Sequence, residues 1–243
     1  MTRILNTEEV ERITGVRFGD RSLLTDACSR ESQRFRVFEF YGDSILNLGT
    51  ILWALHSMRS ENTAKRLAAN RALAQRIQEL FPVARGREIG DFVETLTAAV
   101  AMDTDHMKAM DFTTGLLGLG PVTHFFSQPQ PPENVVRFPR GGAASLGREL
   151  VRFVVTDQLV RVQNLPGADA PELNRQRTAI LANRRMNARV AAYSSSAAGG
   201  RRQRRQFYER VTLELRSGGF EGASKFIQHV VMSSKSRGLH NEN

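Results

Sequence analysis

One cysteine, Cys28, stands in a chain of 243 residues. A lone thiol excludes an internal disulfide framework and a zinc site built from cysteines, and a small packed side chain is its simplest role. Nowhere does an uninterrupted apolar run reach the length a membrane span requires, so no membrane partner is expected. The stretch Met1–Glu9 lacks the apolar core of a secretory signal and turns acidic too early for a transit peptide. An intracellular protein is therefore expected, cytoplasmic by default, with an organelle left open. The five histidines, His56, His106, His124, His229 and His240, show neither metal-ligand nor triad spacing and read as surface or packing residues. Gly115–Pro121 is glycine-rich but lacks the Lys-Ser/Thr of a phosphate loop.

What is present is ordinary in amount and uneven in placement. Apolar residues make up 41% and charged residues 24%, enough for one large core or two small ones. The net charge is +9. Residues 1–118 hold 15 Lys/Arg against 16 Asp/Glu, which leaves 19 basic and 9 acidic residues for the remainder. The first half is nearly neutral and the second strongly basic, as expected where one region meets a polyanion.

Two carboxylate pairs carry the chemistry. Glu39 and Asp43 lie four apart in Phe38-Glu39-Phe40-Tyr41-Gly42-Asp43-Ser44-Ile45-Leu46, and Asp91 and Glu94 three apart in Asp91-Phe92-Val93-Glu94-Thr95-Leu96. Either spacing places both side chains on one face of a helix. Such pairs more often mark a solvated face, but here Phe38 and Phe40 flank Glu39, Ile45 and Leu46 follow Asp43, and Phe92, Val93 and Leu96 interleave Asp91 and Glu94. Like charges among apolar neighbours need a cation, and two facing pairs make an all-oxygen cage suited to Mg²⁺ or Mn²⁺. That is the equipment of metal-assisted phosphodiester hydrolysis.

The first motif resembles the signature helix of ribonuclease III, and Asp91-Phe92-Val93-Glu94 resembles that family's second catalytic element. Leu67–Ala74, with Asn70, is similar to the intervening helix, and Phe18, Leu23-Leu24 and Ala27-Cys28-Ser29 fit the opening helices. The resemblance covers roughly residues 7–118. It implies that Glu39, Asp43, Asp91 and Glu94 are the four metal-binding catalytic carboxylates, that double-stranded or structured RNA is the substrate, and that cleavage leaves 5′-phosphates. One position departs: Arg36 stands where the family usually carries a further glutamate.

A Pro/Gly-rich stretch, 119–142, reads as a linker. Beyond it the first half recurs in altered form. Leu146–Val151 lies on Tyr41–Leu46, Leu181–Val190 on Ala68–Ile77, and Phe207–Val211 on Phe92–Leu96. In that register Glu39 becomes Ala144, Asp43 becomes Arg148, Asp91 becomes Gln206, and Glu94 alone keeps a carboxylate, Glu209. The second copy is expected to be catalytically silent. Ribonuclease III domains work as two-fold pairs, so the resemblance implies an all-α fold. In it a catalytic domain (1–118) and a degenerate domain (143–232) form an intramolecular pseudo-dimer, followed by a polar tail (233–243).

Arg201, Arg202, Arg204 and Arg205, together with Arg184 and Arg185, suit RNA phosphates, with a solvated charged face as the plain alternative. No double-stranded-RNA-binding domain is expected after residue 232, so substrate selection falls to the cleft or to a protein partner. Two rival readings remain. One is a non-catalytic RNA-binding or ribosome-associated scaffold, and the other is an assembly module of a larger RNA-processing complex.

Overall fold

The computed structural model describes residues 6–57, 59, 61–68, 77–78, 80–81, 87–123, 138, 141–162, 169–194 and 200–232. Asn70 and its neighbours at 69–76, most of the linker, residues 195–199 and the tail at 233–243 lie outside the described residues. Every regular element among the described residues is helical, so the all-α expectation holds. In order these are α1 (Thr7–Thr14), α2 (Arg21–Ala27), α3 (Phe35–His56), α4 (Glu61–Ala68), α5 (Arg87–Asp103) and α6 (His106–Leu116). The second half supplies α7 (Gly142–Val162), α8 (Ala170–Leu181), α9 (Asn183–Ser194) and α10 (Arg201–Ile227), with a π-helical turn at Gln228–Met232. Among the described residues no helix is long and apolar enough to cross a membrane.

Two central helices organise the molecule. Helix α3 is apolar around most of its circumference, which is the pattern of a helix enclosed on all sides. Phe38, Tyr41, Ile45, Leu46, Leu48 and Leu55 are all buried there. It packs against α5 on one side and against α7 on another, while α10 packs on α7. Side-chain capping fixes where several flanking helices begin. Asn6, Asp20 and Asp105 accept hydrogen bonds from the first-turn amides of α1, α2 and α6. The Asp103 carboxylate accepts from the amides of Gly19 and Asp20 at 3.0 and 2.8 Å, tying the end of α5 to the start of α2.

Two glycines set the closest helix crossings. A Cβ on Gly42 would lie 1.7 Å from the carbonyl oxygen of Glu94, and one on Gly147 would lie 1.9 Å from that of Tyr208. Only glycine lets these backbones touch. The α3–α5 crossing therefore falls among the four carboxylates picked out by sequence, and it draws Glu39 towards Asp91 and Glu94.

Packing of the first half runs past the expected boundary at 118. Val122 is buried, and the amides of Val122 and Thr123 donate to Asp111 at 2.6 and 2.9 Å.

The two halves meet through unlike partners. Tyr41 donates to Asp157 at 2.6 Å, and its ring stacks on Phe153. Arg177, on α8, lays its guanidinium 4.2 Å from the Phe40 ring centre. His106 lies 4.3 Å from the Phe220 ring centre and 5.4 Å from that of Phe153, so it is a packing residue. Its Nε2 is buried with no hydrogen-bond partner among the described residues. Burial holds the His106 pKa below its ordinary value, although Asp157 and Asp105 pull it upward and Arg161 pushes the other way. A depressed histidine contributes stability above its unfolded pKa and loses it as pH falls. Unfolding titrations should thus show stability declining below about pH 6.5, and His106→Phe should flatten that decline.

Glu61, on α4, reaches across to α7. It accepts from Arg148 at 2.5 Å and from the hydroxyl of Ser145, and it pairs with Lys65 at 2.7 Å. Burial pushes the carboxyl up, but Lys65, Ser145 and Arg148 outweigh it and hold the pKa at about 2. The stabilisation is fully present above the ordinary value of 4.5 and is lost as pH falls through about 2. Solvent screening at this partly exposed site reduces its size to on the order of 1–2 kcal/mol. Glu61→Gln is expected to lower stability by about that amount at neutral pH and to remove that part of the acid dependence.

Candidate metal centre

The centre grows out of the α3–α5 crossing. Glu39 comes from the second turn of α3, and Asp91 and Glu94 from the second turn of α5, where Ile89, Phe92, Val93 and Leu96 hold the helix in the core. Carboxylate oxygens of Glu39, Asp91 and Glu94 all lie within 4.8 Å of one another. Asp91 and Glu94 are 6% and 7% exposed, so the acids face each other away from bulk water. Three hard oxygen donors at this separation can hold a metal ion.

Two cations lie against the cluster. Arg36 donates to Glu39 at 2.5 Å, and Arg30 donates to Asp91 at 3.3 Å while pairing with Glu88 at 3.2 Å. The hydrogen bond to Glu39, then the charges of Glu39 and Asp91, raise the already high pKa of Arg36. Arg36 thus balances the charge of the cluster. Arg30 had no signal in the sequence beyond its place after Ala27-Cys28-Ser29.

Asp43 stands apart from the other three. Its Oδ2 accepts from Arg152 of α7 at 2.8 Å, and its Oδ1 accepts from Asn47 at 2.7 Å. The i, i+4 spacing places Glu39 and Asp43 on one helix face, yet the second half draws Asp43 into the junction.

The two glycine crossings give equivalent points in the two halves. The shift that carries Glu94 onto Tyr208 also carries Arg87, where α5 begins, onto Arg201, where α10 begins. The same shift takes Asp105, the residue before α6, onto Gly219, where α10 kinks at φ 64°. This corrects the sequence register of the last element by one residue. Asp91 corresponds to Arg205 rather than Gln206, and Glu94 to Tyr208 rather than Glu209. With Ala144 and Arg148 at the other two positions, the second half keeps no carboxylate at any of the four. Glu209 instead pairs with Arg205 at 2.9 Å.

Of the arginines singled out by sequence, Arg201, Arg202, Arg204 and Arg205 gather at the start of α10 around one cavity, whereas Arg184 and Arg185 lie exposed on α9. Comparison with protein-family models, with curated proteins and with solved structures finds no match for this chain.

Proposed function

We propose that the chain is a metal-dependent endoribonuclease of the ribonuclease III type, acting on double-stranded or structured RNA through a single centre in its first half. The convergence of Glu39, Asp91 and Glu94 from two helices, in a largely apolar setting, carries this reading. A folded chain has little reason to enclose three carboxylates unless a cation is to be held. Mg²⁺ is the ion proposed, with Mn²⁺ as an alternative, since both take oxygen donors. When bound, such an ion supplies a Lewis acid that acidifies water and stabilises charge on phosphoryl oxygens. Glu39, Asp91 and Glu94 hold it, and Arg30 and Arg36 compete with it for the same oxygens.

The second half, in this reading, completes an intramolecular pseudo-dimer and adds basic surface for the RNA. The α3–α7 packing and the recurrence of the glycine crossing support that arrangement. With one centre, each docking event cuts one strand.

A non-catalytic RNA scaffold is the second reading, favoured by the arginines that already neutralise the cluster and by the diversion of Asp43 to Arg152. Labelled duplex RNA with increasing Mg²⁺ or Mn²⁺ separates the two. Metal-dependent nicks with 5′-phosphate ends support the nuclease. Salt-sensitive binding without cleavage at any metal concentration would establish the scaffold. An absence of RNA affinity would leave only an assembly role.

A further inference from the structure

The second half contains a cavity of about 750 Å³ at the place where the first half has its acidic cluster. Its lining includes Ala144, Arg148, Arg205 and Tyr208, which are the counterparts of Glu39, Asp43, Asp91 and Glu94 under the glycine shift. Arg201, Arg202 and Arg204 join them from the first turn of α10. Four acids have become two arginines, a tyrosine and an alanine, and three more arginines stand at the rim. The charge of the site has inverted.

Two further observations point to an anion. Helix α10 begins at Gly200 without a side-chain cap and with no acid in its first turn. Arginines there oppose the helix dipole, whose N-terminal end is already positive and attracts anions. Helix α1, with Glu8 and Glu9 in its first turn, shows the favourable arrangement. In addition, Arg204 Nη1 is buried with no hydrogen-bond partner among the described residues. Arg148 and Arg205 are balanced by Glu61 and Glu209, but no ion pair is found for Arg201, Arg202 or Arg204 among the described residues.

We propose that this cavity, the vestige of a cation-binding centre, is a phosphate-binding pocket that holds an RNA strand by its phosphate groups. Guanidinium forks and uncapped first-turn amides are the donors that phosphate oxygens accept. The phosphate is either a diester within the strand or a monoester at its end. The proposal rests on the reading of RNA as the partner but not on the cleavage chemistry, because the pocket is built wholly from the second half.

The test uses the full chain carrying Glu94→Gln, in EDTA, so that cleavage plays no part. Fluorescence anisotropy measures affinity for a short RNA strand with a 5′-phosphate and for the same strand with a 5′-hydroxyl. Arg201→Gln/Arg202→Gln is compared with Arg184→Gln/Arg185→Gln, which removes equal charge outside the cavity. The pocket pair is expected to weaken binding by about tenfold and the control pair by about twofold at most. Melting temperature checks that both variants fold, and Arg205→Lys serves as a milder pocket variant that keeps the charge but loses the fork. A preference for the 5′-phosphate that disappears in the pocket variants assigns the monoester, and equal affinity for both strands with the same tenfold loss assigns the diester. Equal losses in the pocket and control pairs, or no loss in either, would overturn the pocket.

Discussion

Glu94→Gln is expected to reduce Mg²⁺-stimulated cleavage of duplex RNA on the order of a hundredfold or more. Removing a residue that merely orients a metal ligand typically costs about ten- to a hundredfold, and Glu94 is placed to be a ligand itself. Asp91→Asn should do the same. The stability of these variants makes the result interpretable. Without metal, the ion pairs of Arg36 with Glu39 and of Arg30 with Asp91 stay in place in Glu94→Gln, so its melting temperature should remain near that of the wild type. Metal should then separate wild type from variant. At a concentration a hundred times Kd, Mg²⁺ adds about 2.7 kcal/mol to the wild-type protein. Calorimetry should find little of that shift in Glu94→Gln. A variant that stays folded, still gains stability from Mg²⁺ and cuts at the wild-type rate would remove the carboxylates from the mechanism.

Gly42→Ala is expected to be the most damaging small substitution in the first half, with a cost of about 3 kcal/mol or more. A methyl group at 1.7 Å from the Glu94 carbonyl meets backbone, which has no rotamer to retreat into. Against a total stability of roughly 5–15 kcal/mol, that is a large fraction. The same substitution separates α3 from α5, so metal affinity should fall with it. Gly147→Ala is expected to cost a similar amount while sparing the metal centre. Gly115→Ala is the contrast. Its added carbon meets nothing within 4 Å, and in the last turn of α6 the change should cost nothing and gain at most about 1 kcal/mol. Denaturant titration of the three variants would sort them, and a mild Gly42→Ala would mean that the crossing relaxes easily.

The helical class and the shared face of Asp91 and Glu94 are legible in the sequence because both rest on local periodicity, whereas the approach of Glu39 from another helix was implied only by the resemblance to ribonuclease III. Carboxylates three or four apart share a face whatever surrounds the helix, and apolar neighbours mark which face is enclosed. That Asp43 pairs with Arg152 was not legible, because that partner is 109 residues away and on another helix. The register of α10 slipped by one for a related reason. Phe207-Tyr208-Glu209 matches Phe92-Val93-Glu94 at its first and last letters, but the alignment is set by which carbonyl Gly147 touches, and that contact leaves no trace in the order of side chains. The spacing of three allows Arg36 to pair with Glu39, but it does not by itself decide between that acid and solvent.

The junction between α3 and α7 has a bearing on which molecules this chain can pair with. In a two-fold assembly of identical subunits every contact occurs twice and must suit both directions. Here each contact occurs once, and the two sides have diverged. Under the glycine shift Asp157 corresponds to Leu52, Arg152 to Asn47 and Arg148 to Asp43. Two first halves set face to face would therefore bring Tyr41 against Leu52, Asp43 against an amide and Glu61 against Asp43. The phenol would lose its acceptor, the aspartate its guanidinium, and two acids would oppose each other. The α3–α7 junction is thus a pairing of unlike surfaces, which two copies of the first half could not reproduce.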